Sequence, residues 1–135
     1  VTFIIDWYDA AQTVIRYDMD MEWTWLEFYK EMEKVDGMMQ SVCPQQVDVI
    51  VHLLNARWLK PDTLVHLRNG ALNPPPNWGL AVFVGLGRST RALLATFSKV
   101  YPRLSDRYAV AETVEEAYAL ILSRRAERRY LAAGD

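Results

Sequence analysis

The sequence predicts an α/β fold: a five-stranded mixed sheet with four helices, in the order β-β-α-β-α-β-α-β-α. Three observations carry that prediction. Short apolar runs suited to buried strands alternate with longer stretches of helical period. The stretch from Gly79 to Tyr101 reads as strand, glycine loop and helix, which is the repeating unit of a doubly wound α/β protein. Two runs at the N-terminus are joined by only four residues, Asp9-Ala10-Ala11-Gln12, as in an antiparallel hairpin.

The hairpin strands are Val1 to Tyr8 and Thr13 to Met19. In the second, Thr13, Ile15, Tyr17 and Met19 alternate with Val14, Arg16 and Asp18, which predicts one mostly apolar face and one partly polar face near a sheet edge. Thr24 and Glu27 form a Thr-x-x-Glu capping box ahead of a long amphipathic helix. Its apolar stripe is Trp25, Phe28, Met32, Val35, Met39 and Val42, and Pro44 ends it. Val47 to Leu54 is the next strand, with Asp48 expected at an exposed end of it. A loop over 55–60 leads to Pro61-Asp62-Thr63, a helix start, and Leu64, Leu67 and Ala71 give that short helix an inward face. The three prolines at 74–76 form a stiff connection, because proline removes donors and fixes φ.

Gly79 to Val84 is then the central buried strand, and Ser89 and Thr90 offer caps to a helix facing inward through Leu93, Leu94, Phe97, Val100 and Tyr101. Arg107 to Ala111 is the last strand. Thr113 and Glu116 make a second capping box, opening a helix with Ala117, Leu120, Ile121 and Ala126 facing in. Right-handed crossovers are expected to place helices on both faces of the sheet.

Composition bounds the function. At 135 residues the chain fits one domain, and a domain of that size buries roughly two-thirds of its unfolded surface. Fifteen Lys and Arg against seventeen Asp and Glu give a formal charge of −2, which predicts neither nucleic-acid nor membrane partners. Cys43 is the only cysteine, so no internal disulfide can form, and no apolar run approaches the ~20 residues of a membrane span. The N-terminus lacks a basic-then-apolar signal pattern. These features predict a cytoplasmic protein, and Val1 in place of an initiator Met leaves room for an upstream segment.

The element order, Trp23-Thr24-Trp25 opening the first helix, the strand Val47-Asp48-Val49-Ile50-Val51, Leu80 to Gly85 before a helix and Glu112 to Ala117 before the last one together resemble the STAS domain superfamily. The resemblance is to its SpoIIAA-like branch, related to anti-sigma-factor antagonists, and covers nearly all the chain. It implies regulation by protein contact without catalysis or cofactor, through a kinase or sigma-regulator-like partner or self-association as a dimer. It also implies a hydroxyl acceptor at the helix start after a central strand, where Asp62-Thr63 is the nearest match here. A phosphate on Thr63 would change both charge and capping. The sequence departs from the family pattern at Leu64-Val65-His66 and in a longer preceding loop containing Arg57, Trp58 and Lys60. Without the phosphorylation reading, Asp62 is an N-cap and Thr63 an ordinary first-turn residue.

Gly85-Leu86-Gly87-Arg88-Ser89-Thr90 and Arg91 give a second reading, a small-ligand module. Glycines let backbone N–H groups approach an anion, and Arg88 or Arg91 would complete the clamp around a nucleotide, lipid headgroup or other anion. The stretch lacks the Gly-Lys-Ser/Thr of a Walker loop, and Thr90 stands where a dinucleotide fingerprint has its third glycine. Its plainer reading is a tight βα turn. Trp7, Tyr8, Trp58 and Trp78 fall at strand ends or loops, as a pocket rim, a contact surface or edge packing. The expected interaction surface is Arg57, Trp58, His66 and Trp78. His52 and His66 are isolated from any Cys, which argues against zinc. Arg124, Arg125, Arg128 and Arg129 fit the dipole at a helix C-terminus. An enzyme reading is weak, because no paired nucleophile and base is legible.

Overall fold

The computed structural model describes residues 3–20, 23–54, 62–72, 74–85 and 87–133. Its strands are β1 (Phe3–Trp7), β2 (Val14–Met19), β3 (Val47–Leu53), β4 (Trp78–Val84) and β5 (Tyr108–Ala111). The helices are α1 (Trp25–Ser41), α2 (Thr63–Leu72), α3 (Arg88–Val100) and α4 (Val114–Ala133), with one 3₁₀ turn at Ser105–Arg107. The strands form one mixed sheet: β1 pairs antiparallel with β2, and β2, β3, β4 and β5 pair parallel in succession. The sheet order is therefore the order of the sequence, β1-β2-β3-β4-β5.

That order corrects the expected doubly wound arrangement. Successive right-handed crossovers that always step to the next strand on the same side must all pass over one face. On that face α1 buries Val35 and Met39 against Ile15, Tyr17, Met19, Val49 and Val51. Phe97 of α3 packs edge-on against Tyr108, whose ring belongs to the same cluster, and α2 reaches α1 through His66 on Trp25. Helix α4 follows the last strand and has no crossover to complete. It folds under the opposite face, where Val114, Ala117 and Ile121 meet Val14, Ile50, Leu80, Val82 and Val84. The two-residue period of the strands thus feeds two separate cores.

Local chemistry sets the ends. At α1 both arms of the Thr24–Glu27 capping box form. At α4 one arm forms as predicted, Glu116 N–H to Thr113 Oγ1, while the Glu116 carboxylate instead accepts from the N–H of Glu112. At α3 the N-cap is Gly87, with no side-chain cap, so Ser89 and Thr90 do not take the predicted capping position. Val100 and Ala126 are exposed, not inward. Ala126 faces solvent because α4 outruns the sheet: from Ala126 to Leu131 every residue is exposed. The side chains of Leu64, Leu67 and Ala71 lie outside the described residues.

Candidate functional site

Helices α1 and α2 are joined by an aromatic clamp. The His66 ring stacks on Trp25 at 3.8 Å between centroids, inclined by 21°, and its Nδ1 meets the Tyr29 hydroxyl. Trp25 in turn lies edge-on to Trp23 and Phe28. His66 is thus half-buried, holding α2 in place. Asp62 takes a φ of 64° and its carbonyl accepts from the His66 N–H at 3.1 Å, which places Asp62 at the start of α2 and Thr63 at its first position. Outward from the clamp, Leu26 and Tyr29 on α1 and Val65 and Leu72 on α2 are exposed at 68%, 38%, 43% and 56%. These side chains form apolar stripes on two adjoining helices, at the spacings that share a helix face.

The predicted contact residues are distributed unevenly around this face. Arg57 and Trp58 lie outside the described residues. Trp78 is no surface residue: it is 9% exposed, packs against Tyr108 and lies 5.4 Å beneath the Arg107 guanidinium. Trp7 packs at the margin of the α1 core, and Tyr8 against Tyr118 of α4.

Of the glycine loop after β4, Leu86 lies outside the described residues. Gly85 has a φ of +85°, and a Cβ there would sit 2.5 Å from the Leu53 carbonyl oxygen, so both backbone angle and space favour glycine. Arg88 is exposed, whereas Arg91 pairs with Glu112 at 3.2 Å. Beside them runs an open groove of about 560 Å³, lined by Arg91, Leu94, Ala95, Val110, Ala111, Glu112 and Glu116. Among the described residues of the predicted anion loop, Arg91 lines this concavity.

Two polar clusters join residues whose partners the sequence does not reveal. At the end of the sheet where the parallel strands begin, Asp48 is 1% exposed, not at a solvated strand end. Its Oδ1 accepts from the Leu80 N–H at 2.7 Å, and its Oδ2 accepts from Arg125 Nε at 2.8 Å and pairs with Nη2 at 2.7 Å. Arg125 also donates to Thr13 Oγ1 and to the Thr13 carbonyl, and Asp9 accepts from the Thr13 hydroxyl and from the N–H groups of Thr13 and Val14. So Arg125 serves a buried carboxylate 77 residues away, which the helix dipole alone does not account for. Burial would raise the Asp9 carboxyl, but the Thr13 and Val14 hydrogen bonds outweigh it and hold it below its usual range. The second cluster lies near the opposite strand ends: Arg16 Nε donates to Asp18 at 3.0 Å, and His52 Nδ1 is 3.4 Å from both Asp18 and Arg16. Only the register of β2 on β3, Asp18 opposite His52, brings these three together.

On the α1 side, burial and then the Glu33 carboxylate push the Asp36 carboxyl above its usual range. Burial likewise raises the phenols of Tyr17, aided by Glu31, and of Tyr108, aided by Tyr29. Among the described residues no group of three His, Cys, Asp or Glu side chains is arranged to hold a metal ion, and no helix is long and apolar enough to cross a membrane. Comparison with protein-family models, curated proteins and solved structures returns no match.

Proposed function

We propose that this chain is a non-catalytic regulatory or protein-interaction domain of STAS-like, SpoIIAA-like kind, working in the cytoplasm through the face formed by α1 and α2. The observation that carries the reading is the set of exposed apolar side chains Leu26, Tyr29, Val65 and Leu72 on two helices fixed to each other by the His66 clamp. A prearranged apolar surface of this kind is what a protein partner buries, and the Asp62–Thr63 helix start borders it. Phosphorylation of Thr63 would place a dianion at the rim of that face and so alter binding. A kinase or a sigma-regulator-like protein is the partner class the resemblance implies.

The second reading, an anion-binding module at Gly85, Gly87, Arg88, Ser89, Thr90 and Arg91, is favoured by the groove that Arg91 lines. A thermal-shift screen against phosphate, nucleotides, dinucleotides and fatty acids separates the two, with Arg88→Ala in parallel. The interaction domain predicts no shift from any of them. A ligand that raises the melting temperature of the native chain and fails to do so in Arg88→Ala would replace the first reading with the second.

A further inference from the structure

The sheet ends at β5, and among the described residues no strand lies beyond it. The direction of each backbone group along that edge follows from the ladder, in which successive residues turn to opposite sides. Asp48 N–H turns to the Thr13 carbonyl on the β2 side, so Val49 and Val51 turn to β4. In the β3–β4 register they face Leu80, Val82 and Val84, and the Leu80 N–H indeed reaches Asp48 on β3. Ala81 and Phe83 therefore turn to β5. With Ala81 opposite Tyr108 and Phe83 opposite Val110, they face the backbone of Ala109 and Ala111. The N–H and C=O of Val110 point outward, away from the sheet. The next outward donor, the Glu112 N–H, is taken by the Glu116 carboxylate at 3.1 Å.

The opposite edge is guarded differently. On β1 the Tyr8 N–H pairs inward with the Val14 carbonyl, so the Trp7 N–H faces out, and the Asp6 carboxylate takes it at 2.8 Å. Strand β5, Tyr108-Ala109-Val110-Ala111, has no charge, proline or break in register of the kind that blunts an edge. The open groove of about 560 Å³ lies on this edge. Val110 faces the α3 side with its neighbour Phe83, and Ala111 faces the α4 side with Val84. One concavity lined by both, by Leu94 of α3 and by Glu116 of α4, straddles the edge where a sixth strand would lie. Arg91 and Glu112 offset each other at 3.2 Å, which leaves Glu116 as the net charge of the lining.

We propose that the β5 edge takes an extended peptide segment of a partner protein as a sixth strand. The outward N–H and C=O of Val110 hold its backbone, its apolar residues lie toward Leu94, and a Lys or Arg lies toward Glu116. Main-chain pairing supplies the affinity of such a contact, and the alternate side chains supply its specificity. This surface goes beyond the α1–α2 face and stands whether or not that face binds.

The test uses the full chain and an acetylated, amidated heptapeptide of alternating Val and Lys, read by titration and by amide hydrogen exchange. Saturating peptide should slow exchange of the Val110 amide about tenfold, and more than that of Ala109 or Ala111. The same peptide N-methylated at every residue keeps its side chains and loses its donors, and should bind at least about tenfold more weakly. Val110→Pro removes an outward donor at a sheet edge, where proline is tolerated, and should weaken binding likewise. Glu116→Gln keeps a capping acceptor and should weaken the Val–Lys peptide about two- to fivefold, while an alternating Val–Ser peptide is unaffected. Circular dichroism of each variant reports that it remains folded. Binding that survives N-methylation, or no saturable binding of the Val–Lys peptide, overturns the added strand. An unchanged affinity in Glu116→Gln overturns the basic residue of the guest. Val110 protection that rises with protein concentration alone gives the edge to a second copy and overturns the foreign guest.

Discussion

Replacing Arg125 by Met should cost this fold about 3 kcal/mol at neutral pH, the lower end of the range for removing one partner of a buried ion pair. The substitution keeps the aliphatic stem and removes the guanidinium. Asp48 Oδ2 then loses both contacts below 3 Å, while its carboxylate, 1% exposed, keeps the Leu80 N–H and Gln46 at 3.4 Å on Oδ1. The lower end applies because the Arg125 side chain is 20% exposed, so water can approach the vacated position. Two bonds to Thr13 are lost as well, and with them the tie between α4 and the hairpin loop. Urea unfolding monitored by circular dichroism gives the stability, and a thermal scan should read a midpoint lower by about 10 °C. Adding Asp48→Asn to Arg125→Met should recover part of the loss, because it removes the stranded charge. A loss below about 1 kcal/mol, or a double variant no more stable than the single, would refute the claim that the pair anchors α4.

Gly79→Ala should destabilise by more than about 2 kcal/mol, since the new methyl would overlap the Asp48 carboxylate and the Gln46 amide; an unchanged urea midpoint would contradict this. Gly37→Ala should do the reverse by about 0.5–1 kcal/mol, because the site is an exposed helix interior with open space around it. Asp9→Asn should be less stable than wild type at neutral pH. The Asp9 pKa is depressed on folding, so its contribution is present above the unfolded value near 3.8 and fades as pH falls through the folded value. The two proteins should therefore converge in acid, and a gap that persists in urea titrations at low pH would show that the hydrogen bonds do not depend on the charge. Val65→Asp should leave stability within about 0.5 kcal/mol of wild type, as expected of an exposed side chain. A large loss would make it a packing residue and not a contact.

The period of the residues revealed the elements. Alternation in β2 separated Ile15 and Tyr17 from Val14 and Arg16, and each set lies on the face its pattern assigned. The helix starts at Thr24 and Thr113 were legible because capping is local. What periodicity could not give was strand order. Placing every parallel strand next to its predecessor is a non-local fact, and it alone decides that α1, α2 and α3 share a face. The polar clusters were illegible for the same reason. Asp48 and Arg125 are separated by most of the chain, and Asp18 meets His52 only through register. An aspartate two residues into an otherwise apolar strand was the one signal available, since a buried carboxylate requires a partner. Trp78 misled because it opens β4, where solvent is expected; Tyr108 and Arg107 cover it.

The most direct test of the account is a series of two-dimensional amide spectra of the full chain, recorded from dilute to concentrated solution. Self-association through the α1–α2 face predicts concentration-dependent shifts confined to residues 26–36 and 65–72. Shifts absent from those segments, or gathered instead at 85–91 when phosphate is added, would contradict it.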